Sequence, residues 1–141
     1  MNLNMVVAEW SRFREALRAA ETLPRDRCYA DAISRAYYAI LHAAKAALYV
    51  HDVAAESHAA VRRMFGLHLV RPGAIEAEWS AYLVESLDDR LAADYDVETS
   101  FSKEEARGEC RRSREFLSRV KRYLLEKGLK EAELRKGHRG G

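Results

Sequence analysis

The run Ala36-Tyr37-Tyr38-Ala39-Ile40-Leu41-His42-Ala43-Ala44-Lys45-Ala46-Ala47-Leu48-Tyr49-Val50 carries a single charged side chain, Lys45, and neither Gly nor Pro. It falls short of the roughly 18–20 apolar residues that span a bilayer. Its apolar positions cover more than one face of a helix, so it predicts a central helix touched on several sides. The many alanines permit close helix–helix approach. Upstream, Tyr29, Ala32 and Ile33 continue the stripe, which sets the second helix at about 25–50.

The flanking segments repeat the helical period. Val6, Trp10, Phe13, Leu17 and Ala20 form one stripe, a first helix over 3–22. Pro24 then suits a helix's first turn. Val61, Met64, Phe65 and Leu67 predict a third helix over 57–70, closed near Arg71-Pro72-Gly73. Ile75, Trp79, Tyr82, Leu83, Leu87 and Leu91 predict a fourth over 74–92. Residues 93–101 read as a loop. Ser102 with Glu105 forms a capping box for a fifth helix, which ends at Gly128. The expectation is one domain, an all-α up-and-down bundle of four to five helices over 1–127. A flexible polar tail over 128–141 follows.

Composition agrees. The chain has 141 residues, 48% hydrophobic and 33% charged, enough for a core and for one domain. Two Pro and seven Gly are too few for the frequent turns of a β sandwich. Cys28 and Cys110 have no clustered partner, which argues against a disulfide scaffold and a structural zinc site. No signal-peptide pattern stands at the start, so the expectation is a cytoplasmic protein without a membrane span.

The net charge of +2 hides a division. Residues 76–109 hold eleven acids and three bases, and residues 111–139 hold eleven bases and four acids. The two stretches read as solvated faces that attract each other within the bundle, or as a basic helix for RNA or an acidic partner.

Three segments carry a resemblance: Ser34-Arg35-Ala36-Tyr37-Tyr38-Ala39-Ile40-Leu41-His42; Ser57-His58-Ala59-Ala60-Val61 with Met64-Phe65-Gly66; and Arg90-Leu91-Ala92-Ala93-Asp94-Tyr95-Asp96 with Ser102-Lys103-Glu104-Glu105. In this order they resemble the HEPN family, the higher-eukaryote and prokaryote nucleotide-binding domains, over roughly residues 8–125. The likeness is to a prokaryotic branch whose small members often sit beside a minimal nucleotidyltransferase. It implies a helical bundle, usually a homodimer, here through helices two and four. It also implies a toxin-like protein or a partner that binds nucleotide or RNA. Many members are metal-independent ribonucleases with an Arg followed at short spacing by His. Arg90 matches that Arg, but Tyr95 stands where His is expected.

That departure bears on the chemistry. Cleavage by a ribose 2′-hydroxyl needs a base and an acid near neutral pKa, which His supplies and Tyr does not. The reading is therefore a toxin-like, nucleotide- or RNA-binding partner without a complete nuclease motif and without cofactor or metal. The alternative is an endoribonuclease with Arg90 and either Tyr95 or His42 as acid/base.

The remaining site expectations are weighed against plainer ones. Arg35 reads as an internal ion pair with Asp31 or Asp94, or as an anion site. Tyr37 and Tyr38 cannot both face the core, so one packs and the other reaches towards Arg35 or Asp94. His42 reads as an interfacial histidine or a site residue, seven positions from Arg35. His58 reads as a surface capping residue. Arg90 and Asp94 form either a plain helical salt bridge or part of a phosphate site.

Overall fold

The computed structural model describes residues 1–135. Six α-helices follow one another in these residues, with no strand: α1 (Leu3–Thr22), α2 (Tyr29–Tyr49), α3 (His58–Phe65), α4 (Ala77–Tyr95), α5 (Lys103–Glu126) and α6 (Glu131–Arg135). Helix α2 is the hub and packs against α1, α3, α4 and α5. Its alanines explain this: Ala36, Ala39, Ala43, Ala44, Ala46 and Ala47 are buried, together with Ile33, Ile40 and Leu48. Val6, Phe13 and Leu17 of α1 and Phe116, Val120 and Leu124 of α5 complete the core around it. Burying such side chains supplies the main stabilisation, about 1.5–3 kcal/mol each.

Local signals set the boundaries. Asn2 accepts a hydrogen bond from Met5 N and caps α1. Ser57 caps α3 through Ala60 N, and Ser102 with Glu105 forms the expected capping box of α5. Helix α2 starts at residue 29, later than the sequence pattern predicts. A 3-10 turn with Pro24 occupies Leu23–Asp26, and Arg27 then adopts a left-handed conformation that reverses the chain. The third predicted helix is regular only to Phe65. Gly66–Val70 forms a π-helical turn, closed by a bond from Arg71 N to Gly66 O.

Two differences bear on the site or the domain. Helix α4 runs on to Tyr95 rather than stopping at 92, so Arg90 and Asp94 lie one turn apart on the same face. The polar tail expected from residue 128 is corrected over 129–135. Leu129 and Leu134 are buried, and Arg14 donates to the Leu134 and Arg135 carbonyls, closing α6 against α1. Residues 136–141 of that expectation lie outside the described residues.

The opposed charge stretches meet between helices. Arg119, buried on α5, donates to Glu76 and to the Ala74 carbonyl. Arg112 lies against Glu85, Asp89 and Glu109. One guanidinium shared among three carboxylates does not balance them. Burial, then the hydrogen bond and charge of Asp89, push Glu109 up to about 8 despite Arg112. Cys110 is buried, its thiol pushed up to about 11 mainly by burial. Among the described residues no helix is long and apolar enough to cross a membrane.

Candidate functional site

Where α2, α3 and α4 meet, five polar side chains converge. The face of α2 turned towards α4 carries Ser34, Tyr37 and Tyr38. Ser34 donates to Asp94 Oδ1. Arg90, on the last turns of α4, donates from Nη2 to Tyr38 Oη at 2.8 Å. Its Nε lies 2.9 Å from Asp94 Oδ2, out of line for a hydrogen bond. The guanidinium carbon stands 5.1 Å from the Tyr38 ring centre and 5.9 Å from those of Tyr37 and Tyr95. Three aromatic faces and one carboxylate thus hold the cation in place. Nη1 has no protein partner, so a planar edge of the guanidinium is left for an incoming anion.

The structure brings His58 to this cluster. Ser57 performs the capping that the sequence assigned to this corner, and His58 turns inward so that its Nδ1 shares a hydrogen bond with Tyr37 Oη. Burial, then the Arg90 charge, lowers the His58 pKa below its ordinary 6.5. Burial pushes the Tyr37 phenol up to about 12, although Arg90 opposes the shift. Neutral histidine and neutral phenol therefore face the cation. A cleft of about 450 Å³ opens beside them, lined by Tyr37, Leu41, Ser57, His58, Arg62 and Leu87 among others.

Arg90, Asp94 and Tyr38 are thus brought together as the sequence predicted, with Tyr95 at their edge. Tyr95 is 70% exposed, its ring the outermost of the three. Arg35 is a correction. It points outward, pairs with neither Asp31 nor Asp94, and lines a separate groove with Arg12, Tyr38 and His42. Ser34, one residue earlier, takes the contact with Asp94. One residue is 100° around a helix, and that rotation separates the two. His42 shares that groove, but its Nδ1 is held by Glu9 Oε2 at 2.6 Å, and Lys45 lies 3.4 Å from Glu9 Oε1. Ser34, Tyr37 and His58 were missed by the sequence reading. The one signal for them was Tyr37 and Leu41, four apart on the face of α2 that meets α3. Among the described residues no group of three His, Cys, Asp or Glu is arranged around a metal position.

A profile of the HEPN domain matches residues 9–123. The chain belongs to the HEPN family. The match covers the whole Arg90 cluster and ends just before the last turn of α5. Relatives agree in extent. The chain is 38% identical to "Putative toxin MJ0605" of Methanocaldococcus jannaschii over 112 residues, 79% of this chain and 83% of that protein. It is 30% identical to "Putative toxin MJ0142" of the same organism over 84% of this chain and 81% of that protein. It is 43% identical to "UPF0332 protein PH1297" of Pyrococcus horikoshii over 54% of each. This HEPN chain is therefore toxin-like in its relationships, and its Arg90 cluster sits within the matched region.

Proposed function

We propose that this HEPN protein is the toxin-like member of a cytoplasmic two-component pair with a minimal nucleotidyltransferase, and that it binds nucleotide or RNA phosphate at Arg90. The observation that carries the binding role is the guanidinium itself, oriented by Tyr38 and Asp94 while Nη1 stays free. Such a preset fork suits a phosphate oxygen. Arg12, Arg35, Arg62, Arg63 and Arg71 make no ion pair and line neighbouring grooves, which supplies local positive potential despite the low net charge.

A second copy of the chain fits on α4. Leu91, Tyr95 and Val97 are exposed there, whereas α2 is largely enclosed. This places a homodimer contact on helix four rather than on two and four equally. Light scattering at micromolar concentration checks it: a dimer that Leu91→Glu dissociates supports the contact, and a wild-type monomer refutes it.

Fluorescence anisotropy with labelled single-stranded RNA and with labelled nucleotide tests the site. Arg90→Ala is expected to weaken binding at least about tenfold, the loss of about 1–3 kcal/mol typical of a good guanidinium contact. Unchanged affinity would overturn the assignment. Co-expression with a minimal nucleotidyltransferase checks the pairing, and failure to co-purify counts against it.

The alternative, an endoribonuclease with Arg90 and Tyr95 or His42, draws on the same guanidinium. Neither partner is well placed for it. Tyr95 lies largely in solvent, and the His42 nitrogen is taken by Glu9.

A further inference from the structure

His58 is the one histidine among the described residues that lines a cleft, has a free ring nitrogen there, and sits within the field of Arg90. Its Nδ1 is held by Tyr37, which fixes the ring and leaves Nε2 without a protein partner. The cleft floor is apolar, with Leu41, Leu83 and Leu87, and its rim carries His58, Ser57 and Arg62. An unstacked base fits such a floor, and its phosphate fits between two arginines, with the ribose at the histidine.

We infer that His58 is the proton-accepting catalytic residue of a phosphodiester-cleaving centre that acts on single-stranded RNA, with Tyr37 as its positioning residue. This rests on the reading that Arg90 holds RNA phosphate, and it replaces Tyr95 and His42 as the group that supplies the missing histidine. The ribose 2′-oxygen bonds to the phosphorus of its own 3′-phosphate, and the bond from phosphorus to the next 5′-oxygen breaks. The 2′-hydroxyl proton passes to His58 Nε2, and the departing 5′-oxygen takes a proton from water. His58 then returns its proton to solvent. Nothing is oxidised or reduced, and the products are a 2′,3′-cyclic phosphate and a 5′-hydroxyl. Arg90, through Nη1, stabilises the charge that grows on the phosphate oxygens. Tyr37 accepts from Nδ1–H and so keeps the Nε2 lone pair towards the cleft.

The groups around His58 set the pH dependence. Tyr37 and Tyr38 face it from α2, Arg90 and Asp94 from α4, and Arg62 lies one turn on along α3. Arg90 and burial favour the neutral ring, the form that accepts a proton. The rate is expected to rise with pH through a midpoint below 6.5 and to be flat above about pH 7.

A 5′-labelled single-stranded oligoribonucleotide, incubated with the full chain in EDTA, tests this. Wild type is expected to leave cyclic-phosphate ends. His58→Gln should cut the rate by about 100-fold or more, the usual worth of a general base, with RNA affinity retained. Tyr37→Phe should cost less and move the acid limb of the pH profile, which a merely structural role would not do. If His58→Gln unfolds, that shift decides the matter: a profile unmoved by Tyr37→Phe overturns the inference. So does cleavage undiminished in His58→Gln. Wild type that binds RNA through Arg90 and never cleaves it removes the catalytic role while the binding reading stands. Absence of any RNA binding removes both.

Discussion

His42 and His58 are both half-buried and both hold a hydrogen bond through Nδ1, yet their settings are electrically opposite. His42 faces the Glu9 carboxylate, which Lys45 also shares. His58 faces a phenol, with the Arg90 cation behind it. Burial raises Glu9, but its bonds and charge contacts with His42 and Lys45 outweigh that and hold it below its usual 4.5. The first arrangement ties α1 to α2. The second keeps a basic nitrogen uncharged at the lip of a cleft. The comparison teaches that a histidine's role is set by the charge it faces, and sequence distance does not report that charge.

The strongest way to break the comparison is Glu9→Ala. It leaves Lys45 with only Glu56 at 3.8 Å and His42 with no acceptor. The expected loss is about 2–3 kcal/mol in urea unfolding, below the value for a fully buried pair because the three side chains keep some solvent. RNA affinity should not change. An unaltered unfolding free energy would show that the Glu9 network holds nothing together.

Glu109 offers a contrast to Glu9, a buried carboxylate with too little positive charge. Its folded pKa of about 8 lies above the unfolded 4.5, so its contribution to stability is full below about pH 4.5 and lost as pH rises through 8. Glu109→Gln removes that loss. At pH 8 the variant should be more stable by on the order of 1 kcal/mol, with no advantage at pH 4. Melting curves at the two pH values check this, and equal shifts at both would refute it.

The smallest effect separates the two histidine settings directly. The His58 pKa is depressed in the folded state, so stability declines as pH falls below about 6.5, and the decline ends once the folded state protonates too. For Glu9, also depressed, stability is present above about 4.5 and is lost only as pH falls through the folded value. His58→Gln should therefore flatten melting temperature between pH 5 and 6.5 by less than about 1 kcal/mol equivalent, and Glu9→Ala should flatten it only below that range. His51 declines in the same direction as His58, so the difference between variant and wild type is the quantity to read. Identical profiles for the two variants would erase the distinction.

The helical architecture was legible because each core helix repeats apolar residues at its own period, and α2 announced its central place through alanine. Local departures from the α-helix were not. The left-handed Arg27 and the π turn lie within segments whose side chains still suit a helix. Leu129 and Leu134 are two isolated apolar residues among charges, too few to show a period, although both are buried. At the site, Arg90 and Asp94 were legible from their four-residue spacing. The Arg35 error was one residue of helix rotation. His58 depends on Tyr37, twenty-one positions away, and on how α3 packs against α2, which no local pattern encodes.

The π turn at Gly66–Val70 holds one residue more than an α-helical turn would need. It therefore acts as a length buffer. Deleting one residue there would restore the regular α repeat rather than break the helix, and would swing Arg71 and the chain towards α4 by about 100°. This corner can absorb a one-residue change in gene length, at the cost of re-aiming the arginines along the groove beside the cleft while leaving His58, one helix earlier, where it is.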